Sequence, residues 1–151
     1  MIRTRNVILL VGCLLLSGVS DGFVPQMDRN GQGTIVSVRW SASRARVGVD
    51  FWLDTGSFPF PAGDITRATN ESFQAWGDVE PAFISSRNRG SGQFDADWTD
   101  RTNVVRYDAT GSEMDVPRGT GVIAFTRLNW DSRGELTDAD IVFNGRDFKF
   151  D

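Results

Sequence analysis

A chain of 151 residues that is 40% hydrophobic and 24% charged is sized for one globular domain with a real core. Its net charge of −4 argues against a nucleic-acid backbone as partner. Having no His and a single Cys, the chain lacks the residues for His-based catalysis, a disulfide framework or the usual zinc sites.

Residues 1–20 read as a secretory signal peptide. Arg3 and Arg5 give a basic start, residues 7–16 an apolar run too short to span a bilayer, and Gly18, Val19 and Ser20 a small-residue end. The protein is therefore expected to be secreted, with no membrane association beyond that peptide. A rival reading takes residues 10–13 (LVGC) as a lipoprotein box with Cys13 acylated, but the apolar run continues past Cys13. A plain membrane anchor is the third option.

Residues 21–39 form a lead-in. The stretch DRNGQG at 28–33 resembles the opening of a calcium loop, yet Arg39 stands where an EF-hand needs a bidentate Glu, so a flexible turn is expected. Strand signals begin with Ile35, Val36 and Val38. After a polar gap Val47, Val49, Phe51 and Leu53 alternate, which predicts a strand over 47–53. Pro59 and Pro61 break the chain, and Asp64 is placed to cap a helix over 64–76. Ile65, Ala68, Thr69, Ser72, Phe73 and Trp76 recur at helical spacing, so Phe73 and Trp76 read as core packing.

Further strands are expected over 82–86, 103–107, 121–126 and 140–143, the last two joined by a polar turn rich in Gly, Asp and Arg. Residues 87–102 read as a polar loop. Within it Asp95, Asp97 and Asp100 are weighed as a calcium-binding group against an acidic, solvated loop. A helix between two strands implies a parallel pair, here 47–53 with 82–86. The fold class is thus α+β: a twisted, mixed, mostly parallel five-stranded sheet with one long helix on a face.

These residues carry a resemblance. FQAWGDVEPAF at 73–83 resembles the helix-to-strand passage of matrixin-type zinc endopeptidases of the metzincin group. Residues 103–105 (NVV) resemble that family's third strand, 121–125 (GVIAF) its antiparallel edge strand, and 137–144 (TDADIVFN) the strand after it. The resemblance implies a metzincin-like N-terminal subdomain, with residues 40–151 an incomplete metalloprotease-like catalytic domain. It also implies that a peptide or protein substrate adds as an antiparallel strand along Val122, Ile123, Ala124 and Phe125. The alternative for those four residues is an ordinary strand of the core.

In the family, three His of HExxHxxGxxH hold the catalytic zinc, on a helix downstream of the TDADIVFN-like strand. The motif does not occur in this sequence, which ends at Asp151. The resemblance therefore implies a secreted endopeptidase fragment inactive as given. Zinc is expected only for the complete family domain. Some members hold structural zinc near the last two strands; here Asp138 and Asp140 stand there, which disfavours zinc and leaves calcium open. The competing function is a non-catalytic secreted α+β binding module. Two helices cover one face of the sheet in the family and only the first is encoded here. Uncovered apolar side chains are therefore expected from Val104 or Val105, Ile123 or Phe125, and Ile141 or Phe143.

Overall fold

The computed structural model of the protein describes residues 27–79, 84–114 and 116–150. The signal-peptide and Cys13 readings fall on residues 1–20, outside the described residues, as do positions 80–83 of the helix-to-strand passage.

The turn expected over residues 28–33 is present, as the tip of a hairpin. Strands β1 (Met27–Arg29) and β2 (Ile35–Ser37) form an antiparallel hairpin. Its turn is built by Asn30, whose Oδ1 accepts the N–H groups of Gln32 and Thr34. The polar gap that follows contains a short helix, α1 (Ala42–Val47). Ser41 Oγ accepts the Arg44 N–H at its start, and Gly48, with φ of 114°, ends it. Val47 therefore closes α1 and is 66% exposed, instead of opening the expected strand. Strand β3 runs Val49–Leu53.

Helix α2 (Ala62–Gly77) begins earlier than expected, because Pro61 takes the N-cap position without a side-chain hydrogen bond. Asp64 lies in the first turn and pairs with Arg67 at 3.1 Å. A carboxylate there favours the helix through its dipole instead of capping it. Strand β4 is Ser86–Ser91, later than the expected 82–86 and inside what reads as a loop. It is an edge strand of the sheet, where a polar sequence suffices. Strands β5 (Val104–Asp108), β6 (Ala124–Trp130) and β7 (Leu136–Asn144) complete the sheet.

The five-stranded sheet has the order β4-β3-β5-β7-β6. Neighbours β3–β4, β3–β5 and β5–β7 are parallel, and β6 pairs antiparallel with β7. The expected parallel pair around the helix is β3–β4. The class is α+β with a mixed, mostly parallel sheet, as the sequence implies. The β6–β7 turn closes with Gly134 N–H on the Asp131 carbonyl at 3.0 Å, Gly134 taking φ of 82°. The lead-in docks there: Arg39 N–H meets the Gly134 carbonyl at 3.0 Å, and Leu136 N–H the Arg39 carbonyl at 2.8 Å.

One face of the sheet carries Phe51, Leu53 and Val105, with Ile65 and Phe73 of α2, Phe58, Ile141 and Phe143 packed against them. The Phe51 and Phe73 rings lie 4.5 Å apart. Trp76 is not core: it is 66% exposed, and α2 buries no residue fully, since its contacts fall on the β3–β4 side of the sheet. Toward β7 the same face is covered by side chains from loops, Phe58 and Phe150 against Tyr107 and Phe143. The opposite face buries Phe125 and Val142 under Met114 and Val116. Val104 and Val105 are both buried, contrary to the exposure expected of one of them: Val105 packs in the helix-side cluster and Val104 lies on the opposite face. Of the pair Ile123 and Phe125, Phe125 is buried under Met114 and Val116, and the expected exposure falls on Ile123. Ile123 is 54% exposed, and Ile141 and Phe143 stay half-buried.

Candidate peptide-binding edge

Strand β6 ends the sheet, with β7 on one side and no strand on the other among the described residues. Residues 121–123 precede the strand, so of the four expected site residues Ala124 and Phe125 lie in β6, and Val122 and Ile123 lead into it. Asn144, fully buried, governs this entry. Its N–H donates to the Ile123 carbonyl at 2.8 Å, and its Nδ2 to the Val122 carbonyl at 2.7 Å.

In an antiparallel pair, residues whose main-chain groups meet the partner alternate with residues whose groups point away. Because Ile123 bonds Asn144, the alternation turns the main-chain groups of Ala124, Thr126 and Leu128 away from β7. Among the described residues these three form a hydrogen-bonding row with no strand partner. Phe125 points into the core of the second face and cannot offer a pocket wall. Thr126 and Leu128 were not legible as site residues, because the apolar run that marks the strand ends at Phe125. Opposite-facing Arg127 is held inward, its guanidinium 3.5 Å from the Trp98 ring centroid and its Nη2 on the Glu113 carbonyl at 2.9 Å.

The acidic residues behave differently from one another. Asp97 Oδ1 accepts from the Thr99 N–H and hydroxyl, and Asp100 Oδ1 from the Thr102 N–H. Asp95 is exposed beside Arg106. These loop carboxylates serve local turns and an ion pair. Asp138 and Asp140 instead are fully buried on β7. Asp138 Oδ2 accepts the Arg101 N–H at 2.9 Å and Asp140 Oδ1 the Val104 N–H at 2.8 Å. The second oxygen of each has no partner among the described residues. Burial pushes the Asp138 carboxyl up to about 6 and that of Asp140 to about 8, with neighbouring aspartates adding to both. Among the described residues no three His, Cys, Asp or Glu side chains gather to hold a metal ion.

A third polar assembly surrounds Arg106, which faces Asp54 at 3.7 Å and Glu113 at 3.2 Å on the second sheet face. Burial raises the Glu113 pKa against the pull of that arginine. The geometry is that of an internal ion-pair network beneath a loop. No helix among the described residues is long and apolar enough to cross a membrane.

Comparison with protein families, with curated proteins and with solved structures gives no match to this chain.

Proposed function

We propose that the chain forms the substrate-binding sheet of a secreted, matrixin-like zinc endopeptidase, and that an extended peptide adds to it antiparallel along β6. The observation that carries this reading is the position of β6. Among the described residues it is a border strand, antiparallel to β7, with the outward main-chain row of Ala124, Thr126 and Leu128 free of a second strand. An unpaired row of this kind takes a peptide by main-chain hydrogen bonds, while side-chain contacts on either face supply choice. The resemblance places its edge strand at this point in the chain order.

The residues present do not fit a catalytic zinc. The sequence has no His, and Asp138 and Asp140 offer two buried carboxylates that are already bonded to main-chain N–H groups. No step of peptide hydrolysis is therefore assigned to this chain; its contribution is binding and orientation. A second reading, a non-catalytic secreted binding module, is favoured by one feature. Phe150 folds back onto Phe143 and Tyr107, at 5.7 and 6.0 Å, and covers part of the face that the family's second helix would use. Both readings use the same edge.

The test is panning of phage-displayed random heptapeptides against the chain and against its Thr126→Pro variant. Proline there removes one outward N–H and leaves the β7 ladder intact, a placement edge strands tolerate. Peptides enriched on the parent and lost on the variant are expected. No enrichment, or enrichment indifferent to the proline, would overturn the proposal.

A further inference from the structure

At the far side of the sheet from β6, a cavity of about 350 Å³ opens between α1, β3 and the loop before β5. Its walls are two half-buried indoles, Trp40 and Trp52, and its charged lining is Arg44, Arg87 and Arg101 against a single carboxylate, Asp50. Asp50 is already neutralised, with Arg87 Nε at 2.7 Å and Arg89 Nε at 3.8 Å. That leaves Arg44 and Arg101 as surplus positive charge in a protein whose net charge is negative. Arg44 lies over the Trp40 ring at 5.9 Å and touches the Leu136 carbonyl at 3.3 Å. The Arg101 guanidinium has no ion pair or hydrogen bond among the described residues.

Arg101 is also the one non-glycine described residue with positive φ, 67°. Side chains rarely adopt that region, and such strain persists where surrounding bonds over-determine it. The bonds are present. The Arg101 N–H is fixed on buried Asp138, and Asn103 bridges the Asp50 carbonyl and the Ala139 N–H at 2.7 Å each. The pocket floor is thus tied down by hydrogen bonds, and an exposed guanidinium without an ion pair among the described residues stands at its rim.

We propose that this pocket binds an anionic ligand with a flat ring body, the ring lying between Trp40 and Trp52 and its carboxylate or phosphate meeting Arg101 and Arg44. Guanidinium geometry matches either anion bidentately, and the volume suits a small molecule. The proposal is independent of peptide addition at β6.

Isothermal titration of the full chain with naphthoate, naphthyl phosphate and uncharged naphthalenemethanol tests it. At least one anion is expected to bind about tenfold or more tighter than the alcohol, the tighter one naming the headgroup. Arg101→Gly should weaken that anion about fivefold or more, with an unchanged or raised Tm because glycine accepts the backbone freely. Arg101→Asn, which also tolerates this backbone, should weaken binding equally and serves if the glycine variant is less stable. Alcohol and anions binding alike, no binding at millimolar concentrations, or both Arg101 variants binding like the parent would overturn the proposal.

Discussion

Asp140 Oδ1 accepts the N–H of Val104 at 2.8 Å, so a buried side chain on β7 ties down the first residue of β5 just before the main-chain ladder of the two strands begins at Val105 and Ile141. The other oxygen of the same carboxyl has no partner among the described residues. The bond that aligns the strands therefore rests on a group that is costly to ionise.

That cost sets a pH dependence. The folded carboxyls of Asp140 and Asp138 titrate near 8 and 6, against an unfolded value near 3.8. The unfolded chain thus releases these protons first as pH rises, and stability falls progressively between about pH 4 and pH 8. At ~1.4 kcal/mol for each tenfold change in proton affinity, the loss is on the order of several kcal/mol. Urea midpoints at pH 5 should exceed those at pH 8, and Asp140→Asn should flatten the difference. A midpoint rising with pH over that range would contradict the burial of these groups.

Leu53 is fully buried at the centre of the helix-side cluster. Leu53→Ala should cost ~2–5 kcal/mol, from lost transfer energy and an unfilled cavity. Chemical denaturation with an unchanged m-value would report it.

The two aromatics of α2 should part company. Phe73 sits on Phe51, whereas Trp76 is 66% exposed. Phe73→Ala should destabilise by ~2 kcal/mol or more and Trp76→Ala by ~0.5 kcal/mol or less. Equal effects would place the helix differently on the sheet.

Asn144 provides a test of how the edge is held. Asn144→Ala leaves the Val122 carbonyl without its 2.7 Å donor, which should cost ~1–3 kcal/mol. Amide exchange should quicken at Phe125, whose N–H faces β7, before it does in β5. Uniform exchange across the sheet would mean that the entry of β6 is held by other contacts.

The sheet was legible where a strand alternates between an apolar core and a different second face, as at Val49, Phe51 and Leu53. It was illegible where that logic does not operate. Strand β4, SRNRGS, is polar because a border strand needs its partner's main chain more than a core. Helix α1 is a single capped run of six residues, too short for periodicity to register. Strand β7 extends back to Leu136 through Asp138 and Asp140, carboxylates that carry no apolar signal although both are buried at 0% exposure. Trp76 read as core because helical spacing reveals a stripe without revealing how far the sheet extends beneath it. Of the candidate edge, Ala124 was legible, while the roles of Thr126 and Leu128 depend on hydrogen-bond phase, which side-chain pattern does not encode.

The strand order has a consequence for how the chain is made. Strand β7 lies between β5 and β6 yet follows both in synthesis. Until it emerges, β6 has no strand partner among the described residues and β5 is open along one edge, so a nascent chain carries bare strand borders. The lead-in waits as well: Asn30 Nδ2 reaches the Ser132 carbonyl across 102 residues of sequence. Pairings this distant form slowly, and open borders invite other chains meanwhile. Insertion of β7 is thus the step at which this protein is committed either to its own sheet or to an aggregate.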